Sequence, residues 1–195
     1  KPHRLGLPYI VTIGRRTSSK NLLASARAIR RLNTDGYPVR LIIAGPGSDP
    51  VLDRDLRDFD DCVDLVGEIS EEGKWSLIKG SLVSVSMSPS ESYGIANAEA
   101  WAMRRPAIAR RVGPIGTIVD DGVDGFLVND EQELAEKLAL LLTDTPRADR
   151  MGAAGGKKIG NFSSSAAATV LSAISAVLDS RYTHRGNGGT SFDDS

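Results

Sequence analysis

Short apolar runs alternate with longer segments of helical periodicity along most of the chain. Tyr9 to Ile13 is an apolar strand. A polar loop follows, then a helix from about Lys20 to Asn33 with Leu22, Leu23, Ala26 and Ile29 at helical spacing. The unit recurs. Val39 to Ala44 is a second strand ending in Gly45-Pro46-Gly47, a polar helix covers Val51 to Asp58, and Cys62 to Val66 is a third strand. Ser70-Glu71-Glu72 caps a helix that runs to about Lys79, and Leu82 to Met87 is a strand stopped by Pro89, which cannot continue a central ladder. A helix starts near Gly94, and Pro106 to Ala109, Ile115 to Val119 and Phe126 to Val128 read as strand, short helix and strand. Leu134, Leu138, Leu141 and Leu142 line one helix face, and Arg147 to Ile159 is a helix rich in small residues. Ser164 to Asp179, with Ser163 as N-cap, gives a marginal last helix. Strands alternating with helices predict an α/β fold, a doubly wound, Rossmann-like parallel sheet, which binds ligands beyond the carboxyl ends of its strands.

Two carboxylates stand around one such strand end. In Pro89-Ser90-Glu91-Ser92-Tyr93-Gly94-Ile95-Ala96-Asn97-Ala98-Glu99-Ala100, Glu91 falls in the loop and Glu99 lies roughly 7–8 Å further along the helix axis at ~1.5 Å per residue. First-turn amides, from Tyr93 through Gly94 and Ile95 to Ala96, have no intrahelical acceptors and suit a phosphate. Carboxylates so placed suit sugar hydroxyls flanking a diphosphate.

The Glu-x7-Glu pattern, Ala100, Ala102, Pro106 and the turn Asp121-Gly122-Val123-Asp124-Gly125-Phe126-Leu127-Val128 resemble the carboxy-terminal donor-binding domain of family-4 retaining glycosyltransferases of the GT-B fold. Gly14-Arg15-Arg16-Thr17-Ser18-Ser19-Lys20 matches that family's Gly-Arg-x4-Lys diphosphate motif, about 70 residues earlier. The resemblance runs from about Pro8 to about Asp179. It implies that Arg15 and Lys20 neutralise the diphosphate and assist catalysis, and that the Tyr93, Gly94 and Ile95 region holds the distal phosphate. It further implies that Glu99 meets the ribose and Glu91 the donor sugar. Nucleotide sugar is then the substrate, with no cofactor and no metal. The acceptor would be bound by an amino-terminal domain for which 195 residues leave no room, and any peripheral membrane contact would come through that other half. A nucleotide-sugar 2-epimerase of the same fold and a degenerate binding module are the alternatives. Ser92, Arg104 and Thr117 depart from the family's usual glycine, glycine and acidic residue. Arg104 is the least expected, since glycine there lets the chain turn tightly between helix and strand.

Composition narrows the picture. With 41% apolar residues the chain can build one buried sheet, read as a donor-binding domain over residues 1–180 and a disordered, Gly- and Ser-rich tail over 181–195. A net charge of −1 offers no basic field for nucleic acid. No apolar stretch approaches the ~20 residues of a membrane span, and the start at Lys1 lacks both an initiator Met and the apolar run of a signal peptide, as a cut in an interdomain linker would leave it. Cys62 stands alone, which excludes an internal disulfide and points to a reducing, cytoplasmic setting. Asp53-Arg54-Asp55 and Asp58-Phe59-Asp60 match the Asp-x-Asp pattern of metal-dependent transferases, but residues two apart on a helix point in different directions, so both read as solvated faces. His3 and His184 lie near the termini, Arg110 and Arg111 read as a solvated pair, and Trp75 and Trp101 as core.

Overall fold

A computed structural model describes residues 6–90 and 94–161, with side chains described as far as Ile159. The expected last helix and tail, and Glu91, Ser92 and Tyr93, lie outside the described residues. Six strands form one parallel sheet: β1 (Tyr9–Ile13), β2 (Arg40–Ala44), β3 (Val63–Gly67), β4 (Val83–Ser86), β5 (Ala107–Arg110) and β6 (Gly125–Val128), in the order β3-β2-β1-β4-β5-β6. Seven helices are described among them: α1 (Leu22–Thr34), α2 (Pro50–Arg57), α3 (Glu71–Gly80), α4 (Ile95–Ala102), α5 (Ile115–Ile118), α6 (Glu131–Thr143) and α7 (Thr145–Asn161). This is the expected Rossmann-like doubly wound α/β architecture.

The inner strands are buried on both faces, so neighbouring residues serve different cores, whereas β3 at the sheet edge leaves Leu65 and Val66 exposed. Ile10, Ile108, Phe126 and Val128 join the α1, α2 and α6 side, while Val11, Ala107, Ala109 and Leu127 join the α3, α4, α5 and α7 side. That explains why the strands read as continuous apolar runs rather than as alternation. Helix starts follow local chemistry. Asp49 accepts from the Leu52 amide ahead of Pro50, Ser70 from Gly73, and Asp130 from Gln132 and Glu133.

Strand order reverses at β1, which pairs with β2 on one side and β4 on the other. The sheet therefore opens a crevice beyond the carboxyl ends of β1 and β4. Behind it, α7 packs closely on α4. A Cβ on Gly155 would lie 2.0 Å from Trp101 Cδ1, and one on Gly152 would lie 2.1 Å from the Arg104 carbonyl oxygen, so glycine at both lets the helices approach. Arg104 takes the left-handed turn with φ 56°, the conformation in which the resembling family places glycine.

Candidate functional site

A cavity of about 310 Å³ occupies the crevice, lined by Thr12, Ile13 and Gly14 at the end of β1, Ser86 at the end of β4, Arg15, Lys20 and Leu22 from the loop into α1, and Ile95, Ala96 and Glu99 from α4. Four residues singled out from the sequence, Arg15, Lys20, Ile95 and Glu99, therefore share one pocket. Gly94 is the α4 N-cap behind it.

The loop geometry follows from its residues. Ser18–Lys20 forms a single 3₁₀ turn and Asn21, at φ 50°, reverses the chain before α1 begins at Leu22, so Lys20 belongs to the loop and not to the helix expected from the spacing. The Lys20 stem passes over Gly14, with Cε 3.9 Å from where a Gly14 Cβ would stand. A Cβ on Gly45 would lie 2.0 Å from the Gly14 carbonyl oxygen, so the β1 and β2 turns touch backbone to backbone. The Pro46 carbonyl accepts from the Arg16 amide at 2.9 Å, and Arg16 Nε meets Asp53 Oδ1 at 2.7 Å. Asp53, read as a solvated acid, instead anchors this loop to α2. Gly45-Pro46-Gly47 likewise braces the loop and does not line the cavity.

α4 begins one residue later than the spacing suggested. Gly94 takes φ 58°, and a Cβ there would meet Asn97 Nδ2 at 2.7 Å and Ile115 Cδ1 at 2.8 Å. Glycine at this position keeps the helix end open. The first α4 amides have no intrahelical acceptors, and the helix dipole favours an anion beside Ile95 and Ala96, which line the cavity.

Glu99 is 8% exposed, and its surroundings were not legible beforehand. Lys74 of α3 reaches across 25 residues and donates to Glu99 Oε1 at 2.9 Å, and it also meets a Glu71 carboxylate oxygen at 2.9 Å. Burial pushes the Glu99 carboxyl above its ordinary range, with Lys74 opposing that shift. The Lys74 ammonium is held above its usual range by Glu71 and Glu99 against the opposing effect of burial. Only the Glu71/Lys74 spacing of three hinted at any partner for this lysine. Thr12, donating to the Val85 carbonyl at 3.0 Å, and Ser86 are cavity residues that the sequence did not single out, because each sits inside an apolar strand.

Elsewhere Trp75 and Trp101 are both buried, as expected. Arg111, read as one of a solvated pair, is exposed and also bonds Asp121 Oδ2 at 2.7 Å, which ties the end of β5 to the turn before β6. A second ion-paired knot joins α7 to the motif helix. Lys158 Nζ meets Asp124 Oδ2 at 2.7 Å and Asp120 Oδ2 at 2.9 Å and donates to the Ile118 carbonyl, while Trp101 Nε1 donates to the Asp124 carbonyl at 2.8 Å. Cys62 lies buried just before β3, and its thiol is pushed up to about 11, first by burial. No helix among the described residues is long and apolar enough to cross a membrane.

Comparison with known proteins gives the geometry a family. The chain is 32% identical over 171 residues to D-inositol 3-phosphate glycosyltransferase of Thermobifida fusca, covering 78% of this chain and 39% of that protein. It is 30% identical over 149 residues to alpha-D-kanosaminyltransferase of Streptomyces kanamyceticus, covering 74% and 39%. The chain thus spans about two fifths of the length of these relatives. Among solved structures it shares its fold with Anabaena HepE in complex with UDP and glucose, at a TM-score of 0.72 and 19% identity over 89% of this chain and 48% of that one. The carboxy-terminal domain of the Francisella tularensis group 1 protein LpcC gives 0.67 at 21% identity, over 79% of this chain and 86% of that one. Residues 7–144 match the family described as glycosyl transferases group 1, and the chain belongs to that family.

Proposed function

We propose that this chain is the nucleotide-sugar-binding half of a family-4 retaining glycosyltransferase of the GT-B fold, which passes a sugar from a nucleoside diphosphate to an acceptor held by a separate amino-terminal domain. The observation that carries this reading is the convergence of Arg15, Lys20, the α4 amides and Glu99 on one cavity at the sheet's reversal point. Its volume of about 310 Å³ falls at the lower end of the range of small-molecule sites. HepE, of the same fold, was crystallised with UDP and glucose, and the relatives named above are sugar transferases, which favours transfer over epimerisation.

In this reading Arg15 offers a planar fork and Lys20 a point charge to the diphosphate oxygens, doing the work a divalent metal does in other transferases. The amides near Gly94 and Ile95 hold the distal phosphate and Glu99 accepts from ribose hydroxyls; the motif assigns Glu91 to the donor sugar and Tyr93 to the distal phosphate, both outside the described residues. Catalysis is then stabilisation of the departing nucleoside diphosphate by charges already in place. The leaving phosphate takes the acceptor proton, and the sugar keeps its anomeric configuration. The buried, unpaired Cys62 accords with a cytoplasmic setting.

A thermal-shift panel of UDP, GDP, ADP and their sugars, run in EDTA, tests the proposal. Binding to the folded state alone raises stability as RT ln(1 + [L]/Kd), so one base series should raise Tm in proportion to log concentration. A flat response to every nucleotide would favour the degenerate binding module, and a response only after manganese is restored would contradict the metal-free reading.

A further inference from the structure

We propose that Lys74 is a positioning residue for the ribose subsite: it fixes one oxygen of Glu99 and leaves the other, still charged, for the hydroxyls of a ribonucleotide. This rests on the donor-site reading and adds to it a residue outside both sequence motifs.

Lys74 is held from three sides. Its Nζ is 2.9 Å from Glu99 Oε1, 2.9 Å from Glu71, and 4.6 Å from the centroid of the Trp75 ring, and its side chain is only 16% exposed. Glu99 lines the cavity with 11% of its side chain exposed, and Oε2 has no hydrogen-bond partner among the described residues. One oxygen is thus occupied from behind while the carboxylate borders the ligand space. A carboxylate pinned at one oxygen cannot swing toward Arg15 or Lys20 in the same cavity, which would otherwise compete with a neutral hydroxyl for it. Among the described residues the charged groups that act on Glu99 are Lys74 and Glu71 from α3, while Arg15 and Lys20 from the β1–α1 loop line the same cavity. With the ammonium removed, burial favours the neutral carboxyl, a poorer acceptor, and the loss deepens as the pH falls.

The experiment is calorimetric titration of the wild type, Lys74→Met, Glu99→Gln and the double variant with whichever of UDP, GDP and ADP the wild type binds, and with its 2′,3′-dideoxy analogue, from pH 6 to 9. Folding of each variant is verified by circular dichroism. Taking the ratio of variant to wild-type affinity at each pH cancels the ligand's own titration. Lys74→Met should weaken the ribonucleotide by about tenfold, the scale of one hydrogen bond to a charged group, with the larger deficit at pH 6. It should leave the dideoxy analogue within about twofold and add little in the Glu99→Gln background, because coupled residues are not additive. An equal loss for both nucleotides would show a general loss of positive charge and overturn the proposal, as would unchanged ribonucleotide affinity. If Lys74→Met does not fold, Lys74→Gln carries the same comparison. Failure of the wild type to bind any of the three nucleotides would instead sink the donor-site reading, and this inference with it.

Discussion

Adding a single methyl group at Gly155 tests whether the contact between α7 and α4 is as tight as the structure shows. A Cβ there would lie 2.0 Å from Trp101 Cδ1, 2.4 Å from Cγ and 2.6 Å from Nε1, against the ~3.5–4.0 Å of an ordinary carbon contact. Ring or helix must therefore move by roughly 1.5 Å. Trp101 is 1% exposed and has nowhere to turn, and its Nε1 donates to the Asp124 carbonyl at 2.8 Å. Overpacking costs about 1–3 kcal/mol and the strained hydrogen bond about 1 kcal/mol more. The better helix propensity of alanine returns about 1 kcal/mol, so Gly155→Ala should lose about 1–3 kcal/mol net. Urea unfolding reads this as a lower midpoint at unchanged slope. Gly116→Ala in α5, where a Cβ meets nothing within 4 Å, is the control and should be neutral or stabilising by up to about 1 kcal/mol. A Gly155→Ala midpoint equal to or above the parent's would refute the reasoning, since propensity alone would then have decided the outcome.

Three further outcomes are expected. Arg104→Gly should stabilise the fold by about 0.5–1 kcal/mol in the same assay, because glycine relieves the cost of φ 56° by more than it adds to the freedom of the unfolded chain. Lys158→Met should destabilise by about 3–5 kcal/mol near pH 7, since it strands Asp124, whose side chain is 2% exposed. Burial raises the Asp124 carboxyl even with Lys158 in place, so the folded variant binds its proton more tightly than the unfolded chain, and the deficit should shrink as pH falls toward 4 and grow as it rises. The Cys62 thiol, pushed up to about 11, should react with a disulfide reagent at pH 8 only as fast as the chain opens; rapid labelling under native conditions would contradict its burial.

Local chemistry made much of the fold legible and left the long-range contacts hidden. Strand positions were readable because runs such as Leu41-Ile42-Ile43 must be buried on both faces, and their ends shifted by only a residue or so, as where β3 begins at Val63 instead of Cys62. The glycines of α7 read merely as a small-residue helix, because the Trp101 ring and Arg104 backbone that require them lie about 50 residues earlier. The same holds at the site. Arg15, Lys20 and Glu99 were visible as motif residues, whereas Lys74 sits on a different helix with an ordinary charged pattern and meets Glu99 only once the sheet has wound. Asp53 looked solvated because its partner, Arg16, comes from a separate turn.

The proposed function requires the cavity between β1 and β4 to bind a nucleoside diphosphate through the cations of the β1–α1 loop. Calorimetric titration of the wild type and of Arg15→Ala/Lys20→Ala with UDP, GDP and ADP, in EDTA and at two salt concentrations, tests it most directly. Saturable one-to-one binding of at least one of the three by the wild type is expected. In the double variant affinity should fall by about 100-fold or more, with a weaker salt dependence, since each lost charge-assisted hydrogen bond is worth roughly 1.5–3 kcal/mol. Equal affinity in the two proteins would place the nucleotide elsewhere and overturn the assignment of Arg15 and Lys20.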